Sequence, residues 1–221
     1  MKTGMCAYCG EVGSVTEDHI PPQCIFPKPR NTSLIKVDCC EPCRKGWSKD
    51  DEEFRRFVWS AEGAEEHPLF NKALDSIISS ITRPESKRYR NKVMNSIENV
   101  EDYSEGGVFL GVKPTTKLEW DRIEGVLKRI VRGLFFRKNK QLIPSDCELI
   151  IKIPDSELFN ELTLFPFEEI ENVCDRMFRY WLYEQNDEVS SSLWLMSFCQ
   201  SILVLGRIRP VQNINNPSAS G

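Results

Sequence analysis

The sequence predicts an α+β protein in two parts, a small cysteine-bounded module at the N-terminus and a larger unit that mixes helices with antiparallel sheet. Three observations predict it. Two Cys-x-x-Cys pairs, Cys6/Cys9 and Cys40/Cys43, bracket a stretch rich in Pro and Gly. One long segment, 117–140, repeats apolar residues at helical spacing. Beyond residue 146 the texture changes to β-branched and aromatic runs split by polar turns. The expected boundaries are a module over 1–61, an α+β unit for substrate or partner binding over 62–211, and a disordered tail over 212–221.

Residues 1–45 are too irregular to pack a core of their own, and modules this small usually need a metal staple. "EPCRKGWSKDDEEFRRFVWSAE" (41–62) reads as one helix, with Cys43, Trp47, Phe54 and Val58 in an apolar stripe. A second helix is expected over 67–81, with Pro68 in its first turn, and a third after Pro84. "GGVFLGV" (106–112) reads as a short strand leaving a glycine turn. The 117–140 segment is the clearest helix: Ile123, Leu127, Ile130 and Leu134 form its buried face, and Arg122 and Arg129 are placed on another. "CELIIKI" (147–153), "RMFRYWLYEQ" (176–185) and "SLWLMSFCQSILVLGRI" (192–208) then read as strands. There is no internal repeat and no low-complexity block.

With 221 residues and 40% hydrophobic content, the chain can bury a sizeable core. The first residues carry no positive-then-apolar leader pattern, and no apolar run approaches the roughly 20 residues of a membrane helix. A soluble protein of the reducing cytoplasm is expected, with no membrane partner. There the nine cysteines read as thiolate ligands and small buried residues rather than disulfides. The net charge of −4 argues weakly against a polyanionic partner. Local balance differs, however. Residues 1–60 hold nine positive and nine negative charges, 83–92 five and one, 117–140 eight and three, and 141–221 five and twelve. Basic segments containing Arg88 and Arg129 can therefore meet a polyanion while an acidic half faces elsewhere; the plainer reading is solvated helix faces.

Two paired knuckles, Cys6-x-x-Cys9 and Cys40-x-x-Cys43, are the donor set of a closed tetrahedral zinc site, with Cys39 as a spare that could replace Cys40. Cys24, Cys147, Cys174 and Cys199 read as small buried hydrophobes. Between the knuckles lies "TEDHIPP". A histidine beside a carboxylate is, taken alone, an ordinary surface pair. Here both ends of the segment are pinned, and "IPP" favours an extended path. Neighbours on a strand point to opposite faces, so Asp18 and His19 can serve different partners, one a metal ion and the other a water.

Cys-x-x-Cys, Asp-His and Cys-x-x-Cys opening a helix resemble the zinc-stapled branch of the HNH endonuclease superfamily, whose catalytic core is a ββα-metal, treble-clef-like module. "TEDHIPPQCIFPKP", "LIKVDCCEPC" and "SKDDEEFR" resemble a bacterial HNH-type family in successive blocks; "RPESKRYR", "KRIVRGLFF" and "SLWLMSFCQSI" resemble the region that follows the module there. The resemblance implies a metal-dependent endonuclease acting on DNA (RNA shares every motif), with a place in bacterial defence beside a partner protein such as an ATPase or sensor. It implies His19 as general base, Asp18 as ligand of a catalytic Mg²⁺ or Mn²⁺, and Asn31 as support of the His-bearing loop.

The chain departs from the family at Arg44, where an Asn usually completes the catalytic metal site. Arginine has no lone pair to offer and cannot be a ligand. Ser48 and Asp51 lie one and two helical turns further on and are the substitutes, Asp51 about 10 Å away along a continuous helix. Arg44 itself can clamp a substrate phosphate through its fork of donors. This departure sustains the rival reading, a catalytically degenerate zinc-stapled module that binds DNA or protein.

Overall fold

A computed structural model of the chain describes residues 2–30, 33–104, 106–185 and 190–211. Asn31 and the expected tail over 212–221 lie outside the described residues. The fold is mixed α+β with antiparallel sheets, as the sequence predicts.

Strands β1 (Lys2–Met5), β2 (Val12–Ile20) and β3 (Ile35–Cys40) form a three-stranded antiparallel sheet in that order. The register sets Thr16 opposite Cys39, Asp18 opposite Val37 and Ile20 opposite Ile35. Directly opposed residues share a face. Ile20, Ile35, Val37 and Cys39 are buried, so Asp18 lies on the inner face of the sheet. His19 and Glu17, opposite Lys36 and Asp38, lie on the outer face.

The single helix expected over 41–62 is two helices, α1 (Glu41–Arg44) and α2 (Ser48–Trp59). The break falls at Gly46, whose φ of 97° is a backbone conformation that side-chain-bearing residues rarely adopt. Phe54 and Val58 remain on the buried stripe, but Trp47 sits in the break rather than on a continuous helix. The 10 Å helical spacing from position 44 to Asp51 therefore does not apply. Helix α3 (Phe70–Thr82) starts two residues after Pro68 instead of around it, and α4 (Lys87–Asn95) follows Pro84 as expected.

Strands β4 (Ile97–Tyr103) and β5 (Phe109–Thr116) form a separate two-stranded hairpin. The strand expected over 106–112 thus begins and ends later, and its partner β4 was not foreseen. Helix α5 (Trp120–Asn139) is the expected long helix. It is followed by β6 (Cys147–Lys152), α6 (Ser156–Leu162), β7 (Glu168–Val173), β8 (Phe178–Glu184), β9 (Ser192–Phe198) and β10 (Ile202–Pro210). The five strands form one antiparallel sheet in the order β6-β10-β9-β8-β7. Strand β9 alternates buried and half-buried residues along its whole length, the signature of a sheet packed on one face.

Helix α5 packs against α2 and β2 on one side and β6 and β10 on the other. Two glycines mark these approaches. A Cβ at Gly133 would overlap the Ile20 side chain, and one at Gly206 on β10 would lie 2.7 Å from Val131 Cγ2. Ile123, Leu127, Ile130 and Leu134 are buried, as the periodicity predicts. Arg129 is not on the exposed face with Arg122; it is 7% exposed and packs inward. Apolar side chains on both sides of residue 61, among them Ile20, Phe54, Leu127, Phe178 and Trp194, belong to one buried cluster.

His67 ties the α2–α3 connection to the large sheet. Its Nδ1 accepts from the Leu69 amide at 3.2 Å, which leaves Nε2, 3.2 Å from the Asp175 carbonyl, as the protonated nitrogen that donates there. Burial lowers the imidazole pKa from its ordinary 6.5, opposed by the Asp175 carbonyl.

Two predictions follow from this packing. Gly133→Ala should destabilise the protein by about 1–3 kcal/mol, the scale of an overpacked core position, despite alanine's better helix propensity. A thermal unfolding midpoint equal to or above wild type would contradict the close approach. For His67, the folded state favours the neutral ring. Its contribution is therefore fully present above 6.5, the ordinary value, and lost as pH falls below it, because the unfolded chain then binds the proton more readily. Denaturant titrations across pH 7 to 5 should show stability falling with pH, and His67→Gln should make that slope shallower.

Candidate functional site

The cysteine cluster is built by two chain reversals. After β1, the Cys6 carbonyl accepts from the Gly10 amide at 3.0 Å and the Cys6 amide donates to Glu11 at 2.9 Å, folding Cys6 and Cys9 toward one point. Cys40 ends β3 and Cys43 lies in α1, one turn away. The four sulfurs of Cys6, Cys9, Cys40 and Cys43 lie within 4.8 Å of one another. A tetrahedral zinc with Zn–S bonds of ~2.3 Å needs sulfurs roughly 3.8 Å apart; Cys9 Sγ and Cys40 Sγ are 3.7 Å apart. The donor set fits a structural zinc. Burial pushes the Cys6 thiol up, but hydrogen bonds to backbone at Cys40, Tyr8 and Cys9 outweigh it and bring its pKa down to about 6. Cys39 is not a ligand. It points to the other face of β3, buried, and its thiol is pushed up by burial and by the neighbouring Cys6 and Asp18. Cys174 and Cys199 are buried as expected, whereas Cys24 and Cys147 are only half-buried.

Asp18 and His19 point to opposite faces, as a strand requires. On the inner face, Asp18 Oδ2 accepts from the Tyr8 hydroxyl at 2.6 Å. The Tyr8 ring meets Trp47 edge-on at 5.1 Å, and the Arg129 guanidinium lies 4.1 Å above the Trp47 ring. Arg129 also forms an ion pair with Asp51 of α2. Burial raises the Asp51 pKa, Arg129 pulls it back, and Asp18 adds to the upward push. Tyr8 is held as the protonated phenol by burial and then by Asp18. The sequence-predicted residues Asp18, Asp51 and Arg129 are thus brought to one place, but as a closed polar cluster.

On the outer face, His19 opens onto a cleft of about 850 Å³ lined also by Gln23, Lys28, Arg30, Ser33 and Lys36. Arg30 is positioned by bonds from its guanidinium to the carbonyls of Phe26 and Gln23, at 3.2 and 3.0 Å. Lys36 bonds Glu17 at 2.7 Å. Burial lowers the His19 pKa from its ordinary 6.5, with Lys36 adding to the effect and Asp18 and Glu17 opposing it.

Other expected residues lie apart. Arg44 is exposed and donates to the Thr16 hydroxyl at 3.0 Å. Ser48 is exposed at the start of α2. Arg88 lines a different cleft of about 630 Å³, where Lys49, Lys92 and Arg122 face Glu52, Glu85 and Glu119. Arg88 and Arg129 do not form one basic surface. Lys28, Arg30 and Lys36 were missed, although "KPRNTSLIK" (28–36) holds three cations and no acid.

The divalent ion implied at Asp18 does not fit these residues. A Mg²⁺ or Mn²⁺ site needs several free oxygens in near-octahedral array. Among the described residues the four cysteines are the only group of three or more His, Cys, Asp or Glu close enough to share an ion. Asp18 is engaged by Tyr8, Asp51 by Arg129, and His19 faces the opposite side of the strand.

Comparison with family models, with curated proteins and with solved structures gives no match to this chain. No helix among the described residues is long and apolar enough to cross a membrane.

Metal analysis should find one zinc per chain. Cys9→Ser should lower that content and destabilise the small sheet, because thiolate–zinc binding energy is folding energy in such modules. Less than about half an equivalent in the wild type would contradict the closed four-thiolate site.

Proposed function

We propose that this chain is an HNH-type endonuclease module that holds the phosphodiester backbone of DNA in the His19 cleft and hydrolyses it. The finer fold reading, a ββα-metal, treble-clef-like module, is part of the same proposal and is supported by β2, β3 and α1–α2 flanking the cysteines. The observation that carries it is the cleft itself: an imidazole whose pKa burial lowers, set among three cations on a strand next to the cysteine cluster. In this reading His19 takes the proton from the attacking water, the role the resemblance assigns it. Lys28, Arg30 and Lys36 bind the phosphate and meet the charge that develops on its oxygens.

One observation favours the rival, a module that binds nucleic acid without cutting it. Arg44 occupies the position where the family places its Asn and is bonded to Thr16, so nothing there completes a metal site.

His19→Ala should lower cleavage by on the order of 10²-fold or more while leaving zinc content and DNA binding unchanged. Plasmid nicking beside fluorescence anisotropy separates the two effects. Replacing Lys28, Arg30 and Lys36 together by Ala should weaken binding and flatten the dependence of log K on log salt by roughly 2–3, since each lost phosphate contact removes about 0.9 from the slope. An unchanged slope would remove the cleft from the interface. Equal inertness of wild type and His19→Ala on DNA and RNA would leave the binding module as the function.

A further inference from the structure

The inner face of β2 carries a charge arrangement that the cleft on its outer face does not use. Asp18 comes from the small sheet, Asp51 from α2 and Arg129 from α5, three elements joined only in the folded chain. Asp51 and Arg129 are an ion pair; Arg129 stacks over Trp47, Trp47 meets Tyr8, and Tyr8 bonds Asp18. Arg129 is 7% exposed. Gly133, one turn further along α5, lets the helix approach until Ile20 and the Tyr8 hydroxyl lie against it. The guanidinium is therefore delivered by a helix docked at contact distance and clamped by an aromatic face. A flexible surface arginine would have neither constraint.

We propose that Arg129, ion-paired with Asp51 and linked to Asp18 through Trp47 and Tyr8, is the resident cation of this cluster, so that the folded chain takes up zinc at its cysteines and no Mg²⁺ or Mn²⁺ at Asp18. Asp18 and Asp51 are half-buried, and a carboxylate partly removed from water gains from a partner of opposite charge. Here a planar fork of donors supplies it, fixed by cation–π contact. A second cation brought beside that guanidinium meets like-charge repulsion in a partly desolvated setting, where charges act more strongly than in water. The proposal stands on contacts alone and is independent of whether the chain cleaves DNA.

The test is Mn²⁺ titration of the zinc-loaded full chain, read by the paramagnetic resonance of free Mn²⁺ and by the thermal midpoint. Wild type should show no saturable Mn²⁺ site that depends on Asp18. Arg129→Met keeps an apolar contact with Trp47 but removes the charge. It should gain a Mn²⁺ site tighter than any in wild type by on the order of tenfold or more, and that site should vanish when Asp18→Asn is added. Arg129→Lys, which keeps a cation, should stay closed to Mn²⁺. If Arg129→Met folds poorly, Mn²⁺ should raise its thermal midpoint while leaving the wild-type midpoint unchanged. The proposal is overturned if wild type binds one Mn²⁺ that Asp18→Asn abolishes, or if Mn²⁺ neither binds nor stabilises Arg129→Met.

Discussion

The docking of α5 between the two sheets is the constraint on which the rest of the structure depends. Gly133 admits Ile20 on one side, and Gly206 admits Val131 on the other, so the helix touches β2 and β10 at distances that no larger residue at either glycine position allows. Nine of its side chains and backbone positions are buried, among them Leu127, Ile130 and Leu134. At roughly 1.5–3 kcal/mol for each fully buried aliphatic side chain, these contacts hold the helix firmly in place. It also fixes where the inner face of β2 ends, and so which residues can share that face.

Burial of polar groups follows from that placement. Glu53 of α2, 1% exposed, is satisfied by Arg56 at 3.1 Å, Lys92 at 3.0 Å and the Glu119 amide at 2.9 Å. Arg56 in turn bonds Ser96 and Thr116, at 2.6 and 2.7 Å, at the base of the β4–β5 hairpin. A buried carboxylate is tolerable only with such partners, and removing one leaves the charge uncompensated. Asp51, two residues before Glu53 on α2 and half-buried, is likewise paired, with Arg129. The helix thus carries two polar anchors, one holding the hairpin and the other holding α5.

The sequence made the strongly periodic elements legible. The α5 stripe and the two knuckles repeat at the spacing their structure demands, and β-branched and aromatic runs mark β6, β8, β9 and β10. The opposite facing of Asp18 and His19 was legible as well, because strand geometry alone sends neighbours to opposite faces. What stayed hidden lacked a local signal. Strand β4, "IENVEDY", is exposed over nearly its whole length, so no buried alternation marks it. The break at Gly46 depends on one positive φ inside an otherwise helical pattern. Arg129 sits among other basic residues and reads as surface, since its partner Asp51 is 78 positions away. The cations of the His19 cleft cluster within nine positions, but the even charge balance of residues 1–60 as a whole hides them.

The placement of the two halves of the N-terminal module also sets an order of assembly during synthesis. All four cysteines of the cluster lie within residues 6–43, so it can close as soon as that stretch has left the ribosome. The inner face of β2 has to wait for Arg129 and Gly133, about 90 residues later, which at ~5–20 residues per second is roughly 5–20 s. During that interval Ile20 and Asp18 have no lid. A metal at those cysteines would hold the nascent sheet in register until the helix that covers it is made.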